Sequence, residues 1–166
     1  ILQVEGILDS QNRFLATVDL RLSWVDPRQT FRTGPDEEAR IELNGEAARV
    51  RLREMCVPEV QLNNLVGRVE DQVTEEGLVL DGDGHVQWFR RLEAGFKTHL
   101  DHGAFPFERQ VLPVELVCAQ EDVQRLVLTY GSNLRDISNM QASDPIGWHL
   151  SRLHVRPHTI RSWSGT

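Results

Sequence analysis

From Arg13 to Val25 apolar and polar residues alternate. Phe14, Ala16, Val18, Leu20, Leu22 and Trp24 take one set of positions, and Arg13, Thr17, Asp19, Arg21 and Ser23 take the other. A period of two places each set on one face of an extended chain, so this segment is predicted to be a long half-buried strand. The same period returns in Val50 and Leu52, in Leu112, Val114, Leu116 and Cys118, and in Leu126, Leu128 and Tyr130. Each reads as a further strand, with Arg49, Arg51 and Arg53 on the solvated side of theirs.

Turn-forming pairs separate these runs: Asp26-Pro27, Gly34-Pro35, Asn44-Gly45, Asp81-Gly82-Asp83-Gly84, Gly131-Ser132-Asn133 and Asp144-Pro145. Proline fixes φ, and Gly and Asn accept positive φ, so these are points where strands reverse. Only Asp36–Glu46, rich in Glu and Ala and closed by Pro35 and Gly45, suggests a short helical turn. Gly131–Ile146 is the longest stretch without a period and reads as a contact loop. Many short strands between turns predict an all-β fold, an antiparallel immunoglobulin-like β-sandwich.

The 166 residues suffice for one domain and are too few for two ordinary ones. A composition of 40% hydrophobic and 26% charged residues is that of a folded globular chain. A net charge of -7 is unlike the clustered basic face that nucleic acid requires, so no nucleic-acid partner is expected. No apolar run reaches the ~20 residues of a membrane-spanning helix, and the N-terminus carries no signal pattern. Cys56 and Cys118 lack zinc or redox spacing. His149 and His154 would fall on opposite faces of a strand, which is poor geometry for a shared metal, and His158 and the pair His99 and His102 add no ligand set. There is no nucleophile elbow, no paired Cys-x-x-Cys and no glycine-rich phosphate loop. Catalysis, metal and cofactor therefore have no support in the sequence.

Four short constellations narrow the reading: Trp24-Val25-Asp26-Pro27-Arg28 at the end of the long strand, Pro58-Glu59-Val60-Gln61-Leu62-Asn63-Asn64, Gly84-His85-Val86-Gln87-Trp88-Phe89, and Phe105-Pro106-Phe107-Glu108-Arg109-Gln110. In this order the chain resembles the extracellular domain of pentameric ligand-gated ion channels, in particular their prokaryotic members. Where animal members carry the two cysteines of the Cys-loop, this chain has Thr98 and Leu112, so that disulfide is absent. Glu108 stands where the family has aspartate, and Cys56 where a tryptophan is expected.

The resemblance implies a homopentamer on the extracellular or periplasmic face of a membrane, a ligand bound between neighbouring copies, and a transmembrane pore domain of the same protein. It also implies that the last strand of the sandwich, like the pore domain, lies outside these residues. Phe105, Pro106, Phe107 and Glu108 would couple ligand binding to the pore, together with the Leu8–Asn12 turn, whose charged residue is Asp9. Trp24, Asp26 and Pro58 read as structural: Trp24 on the apolar face, Asp26 bonding nearby backbone N–H groups, Pro58 bending the chain. The family's aromatic ligand cage is not reproduced, since its positions fall near Ala119 and Asp19. Asp19, Arg21, Glu121 and Asp122 suit a small polar or charged ligand, an ion or a proton, and equally a solvated surface. Phe89 and Trp88 are candidate aromatic walls, as is Trp163, although Trp88 shares the parity of Val86 and reads first as core. The alternative is a soluble periplasmic β-sandwich binding or sensor module for a small polar ligand or ion, because a fold by itself does not specify a function.

Overall fold

A computed structural model describes residues 2–32, 34, 39–101, 103 and 109–118 of the chain. Among these residues seven strands and one α-helix run in the order β1 (Leu2–Leu8), β2 (Arg13–Val25), β3 (Arg40–Asn44), α1 (Glu46–Arg53), β4 (Val60–Leu62), β5 (Val73–Asp81), β6 (His85–Lys97) and β7 (Leu116–Cys118). Five strands form an antiparallel sheet in the order β1-β2-β6-β5-β3, and β4 pairs with β7 in a second. Leu62 of β4 packs into the core of the large sheet with Phe14, Val18, Leu92 and Phe96, and Leu112 and Val114 close over it from the approach to β7. The fold is an antiparallel β-sandwich.

The long alternating segment is β2, and it pairs with β6 along its whole length, from Arg13 opposite Lys97 to Val25 opposite His85. This register fixes the faces. Phe14, Ala16 and Val18 meet Phe96, Ala94 and Leu92 on the inner side, with the Phe14 and Phe96 rings stacked 5.3 Å apart. A second apolar cluster of Ala48, Leu78, Leu80 and Val86 fills the other end, with Trp24, Leu43, Leu52 and Trp88 packed against it. Asn64 fastens the sheets together: its Nδ2 donates to the carbonyls of Lys97 and Pro113 and its Oδ1 accepts from Glu115 N.

Asp81–Gly84 turns β5 into β6. Gly84 has φ +91, and a Cβ there would lie 2.8 Å from the Asp26 carbonyl, which excludes any other residue on two counts. Asp26 N donates to the Gly84 carbonyl, tying this hairpin to the end of β2.

Two expectations from the sequence are corrected. The predicted strand at Val50 and Leu52 is helix α1, and the predicted helical turn over Asp36–Glu46 holds β3 from Arg40 to Asn44, with its residues 36–38 outside the described set. The alternation of Arg49, Arg51 and Arg53 misled because five residues are too few to separate a period of 2 from one of 3.6. Ala48 and Leu52, four apart, pack inward while Val50 is 46% exposed, which is a helical pattern. Gly45, at φ +58, makes the reversal between β3 and α1. The run from Leu112 to Cys118 is a paired strand only from Leu116, since Pro113 has no N–H to donate and the Glu115 N–H is taken by the Asn64 side chain. The segments Leu126–Tyr130 and Gly131–Ile146 lie outside the described residues.

Candidate functional site

The outward face of the large sheet gathers charge around one aromatic ring. β2 contributes Asp19 and Arg21, and β6 sets Arg91 and Phe89 directly opposite them. The Arg91 guanidinium grips Asp19 with two bonds, Nε to Oδ1 at 2.7 Å and Nη2 to Oδ2 at 3.1 Å, and its Nη1 reaches Glu75 Oε1 at 3.1 Å. The bond from Arg91 holds the Asp19 carboxyl below its ordinary value, and the same bond raises Arg91. Arg21 lies over the Phe89 ring at 5.6 Å and Arg91 at 5.9 Å, so two guanidiniums flank one ring. Gly77 lies across from Phe89 on β5, and the Asn44 side chain of β3 lies over it. Arg21 is exposed and makes no ion pair among the described residues.

Three of the proposed ligand residues, Asp19, Arg21 and Phe89, thus come together. Trp88 does not join them. One position away on β6 it faces inward, where its Nε1 donates to Glu76 Oε1 at 3.0 Å. Glu76 also accepts from Arg90 Nε at 2.7 Å and Arg49 Nε at 3.0 Å, and Arg90 stacks on the Trp88 ring at 4.3 Å. Burial pushes the Glu76 carboxyl up, and the bonds from Arg90, Trp88 and Arg49 outweigh it and leave it below its ordinary value.

At one end of the sandwich the Leu8–Asn12 turn meets the start of the loop that carries the Phe-Pro-Phe motif. Asp9 opens a single 3-10 turn, Asp9–Gln11, and is exposed. Asn12 follows it with φ 50, and Thr98 N donates to the Asn12 carbonyl at 2.9 Å. The two stems of the loop are closed by side chains. Thr98 Oγ1 donates to Val111 O at 3.1 Å, Gln110 Oε1 accepts from Asp101 N at 3.0 Å, and Gln110 Nε2 donates to Asp101 O. Thr98, which the resemblance sets in place of a Cys-loop cysteine, contributes a hydrogen bond to that closure. Phe105, Pro106, Phe107, Glu108, Glu121, Asp122, Ala119 and Trp163 lie outside the described residues, as do His102, His149, His154 and His158.

Trp24 is half-buried against the second apolar cluster, and its Nε1 is buried with no partner among the described residues. Asp26 is 4% exposed; its carboxylate accepts from Arg28 N at 3.1 Å and binds the Arg28 guanidinium through Nε and Nη2. The side-chain bond from Arg28 lowers Asp26, and Arg28 Nη1 reaches on to Cys56 Sγ at 3.2 Å. Pro58 is half-buried just ahead of β4. Among the described residues no group of three or more His, Cys, Asp or Glu is placed to hold a metal ion, and no helix is long and apolar enough to cross a membrane.

Arg91, Glu75, Glu76, Arg90 and Arg49 were not anticipated. The sequence does hold a signal for four of them. Counting equal steps outward from Asp83, in the hairpin turn, sets Glu76 opposite Arg90 and Glu75 opposite Arg91, as the observed register has them.

Compared with known proteins, the chain is 24% identical over 156 residues to a proton-gated ion channel of Gloeobacter violaceus. The relation is distant but nearly complete on this side. The match takes in 90% of the chain and only 39% of that channel's length. No protein-family model matches.

Proposed function

We propose that the chain is the ligand-binding domain of a ligand-gated ion channel. The observation that carries this reading is the relation to a proton-gated ion channel over 90% of the chain, and the β-sandwich agrees with it. Five copies assemble head to tail into a closed ring, since a heterologous contact repeated by rotation closes on itself. The domain stands on the extracellular or periplasmic face, above a pore domain of the same protein.

The ligand lies between copies, against Asp19, Arg21 and Phe89 of one and Glu121 and Asp122 of its neighbour. Two guanidiniums already flank Phe89, so a quaternary amine would meet positive charge where it needs an open π face. A small polar or acidic ligand, an ion or a proton suits the face better. Binding opens the pore only to the extent that the ligand prefers the open state. The Leu8–Asn12 turn and the loop with Phe105, Pro106, Phe107 and Glu108 pass that preference on; the bond from Thr98 to Asn12 keeps the base of that loop beside the turn.

The test is to express the whole protein containing this chain in oocytes and record current during acid steps and during application of small polar ligands. Ligand- or acid-evoked current that Phe105→Ala or Phe107→Ala weakens is the expected result. Surface-expressed protein that passes no current under any of these conditions favours the soluble or sensor-type sandwich instead.

A further inference from the structure

Helix α1 and the Phe89–Arg91 face lie on opposite sides of the large sheet, and two neighbouring glutamates of β5 connect them. The ladder between β5 and β6 pairs Val73 with Leu92 and Glu75 with Arg91, leaving Thr74 as the extra residue of a bulge. After the bulge the strand alternates regularly. Glu75 faces out and bonds Arg91, and Glu76 faces in and is opposite Arg90. Two consecutive carboxylates therefore hold two consecutive arginines of β6 from opposite faces.

Glu76 also holds the helix. Its carboxylate takes the Arg49 Nε bond from the middle of α1, and its backbone carbonyl accepts from Gly45 N, at the helix start, at 2.8 Å. The Glu76 side chain is 2% exposed, so its carboxylate relies on protein partners, and charge-assisted bonds of this kind are the strong ones. A displacement of α1 must then either break the bond to Arg49 or move Glu76, and Glu76 bears on Arg90 and Trp88, which flank Phe89 in sequence.

We infer that Glu76 is a positioning residue that links the placement of α1 on the inner side to the orientation of Phe89 and Arg91 on the outer side. The inference rests on the outer face being the ligand-facing one, and its test needs no ligand. Arginine Nε–Hε and tryptophan indole signals, together with the Phe89 ring signals, are recorded by NMR for the parent chain and for Arg49→Ala, Glu76→Gln and Arg53→Ala. Arg53 is exposed on the same helix and serves as the control.

Arg49→Ala is expected to shift the Trp88 indole and Arg90 signals, and with them those of Arg91 and Phe89 across the sheet. Glu76→Gln does the same more strongly, Arg49→Lys restores part of the parent spectrum, and Arg53→Ala changes none of these signals. Arg49→Ala that moves Trp88 and Arg90 while leaving Arg91 and Phe89 at parent positions overturns the inference and makes Glu76 an anchor for the helix alone. Arg49→Ala decides the matter if Glu76→Gln does not fold. A failed current recording with these shifts present would count against the channel reading and not against this link.

Discussion

The backbone N–H of Thr98 donates to the carbonyl of Asn12 at 2.9 Å. That bond sets the first residue after β6 beside the turn between β1 and β2, and it depends on Asn12 holding a left-handed conformation, φ 50 and ψ 50. Asn tolerates this region, Gly prefers it, and a β-branched residue does not. Asn12→Val is expected to lower stability by about 1–2 kcal/mol and Asn12→Gly to change it by no more than a few tenths. Urea unfolding of both variants checks this; equal effects would mean that the turn does not need its positive φ.

The loop closure predicts a local effect. Gln110→Ala removes both bonds to the Asp101 backbone, each worth about 0.5–1.5 kcal/mol at most in an exposed position. Amide exchange at Asp101 should then quicken while Phe14 and Phe96 amides keep their protection. Faster exchange throughout the sheet would show that the closure supports the whole fold and not the loop alone.

Acid should destabilise the domain in a defined window. Asp19 and Asp26 titrate below their ordinary value of 3.8, held by Arg91 and Arg28, and Glu76 below 4.5. A carboxyl with a lower pKa in the folded chain gives up its proton more readily there than in the unfolded chain, so its stabilisation is complete above the unfolded value. It is lost as pH falls through the folded one. The melting temperature should be nearly flat from pH 7 to about 5 and fall below about 4, and Asp26→Asn should make that fall shallower. A melting temperature that rises on going below pH 4 would contradict these assignments.

The helical assignment of residues 46–53 separates two neighbouring substitutions. Val50 is 46% exposed and Ala48 fully buried. Val50→Ala should alter stability by less than about 0.5 kcal/mol, whereas Ala48→Leu should cost about 1–3 kcal/mol by overpacking. Were this segment a strand with Val50 inward, Ala48 would share its face and both substitutions would be costly, so chemical denaturation of Val50→Ala distinguishes the cases.

The sandwich was legible where the two-residue period runs unbroken, as in β2, and where a proline or glycine marks a reversal. It was not legible in β1 or β5. Both strands carry a bulge, β1 between Val4 and Gly6 and β5 between Val73 and Glu75. Val4 and Ile7 are three apart yet pack into the same core cluster, as no regular strand allows. The outer-face residues Asp19, Arg21 and Phe89 could be found from strand parity. Trp88 could not be kept with them by the same rule, and Arg91 was missed because only the pairing of β2 with β6, strands far apart in sequence, brings it to Asp19.

The extra residue at Thr74 gives β5 one place where its length can change. A one-codon deletion there leaves Val73 opposite Leu92 and Glu75 opposite Arg91 and straightens the strand, with every side chain on its present side. The same deletion at Val79, inside the regular ladder, inverts one part of the strand against the other and turns either Glu76 and Leu78 or Leu80 toward solvent. Along β5, tolerance of a one-residue deletion is therefore concentrated at the bulge, and a deletion scan of soluble yield along Val73–Asp81 should peak at Thr74 and fall away on the side of the turn.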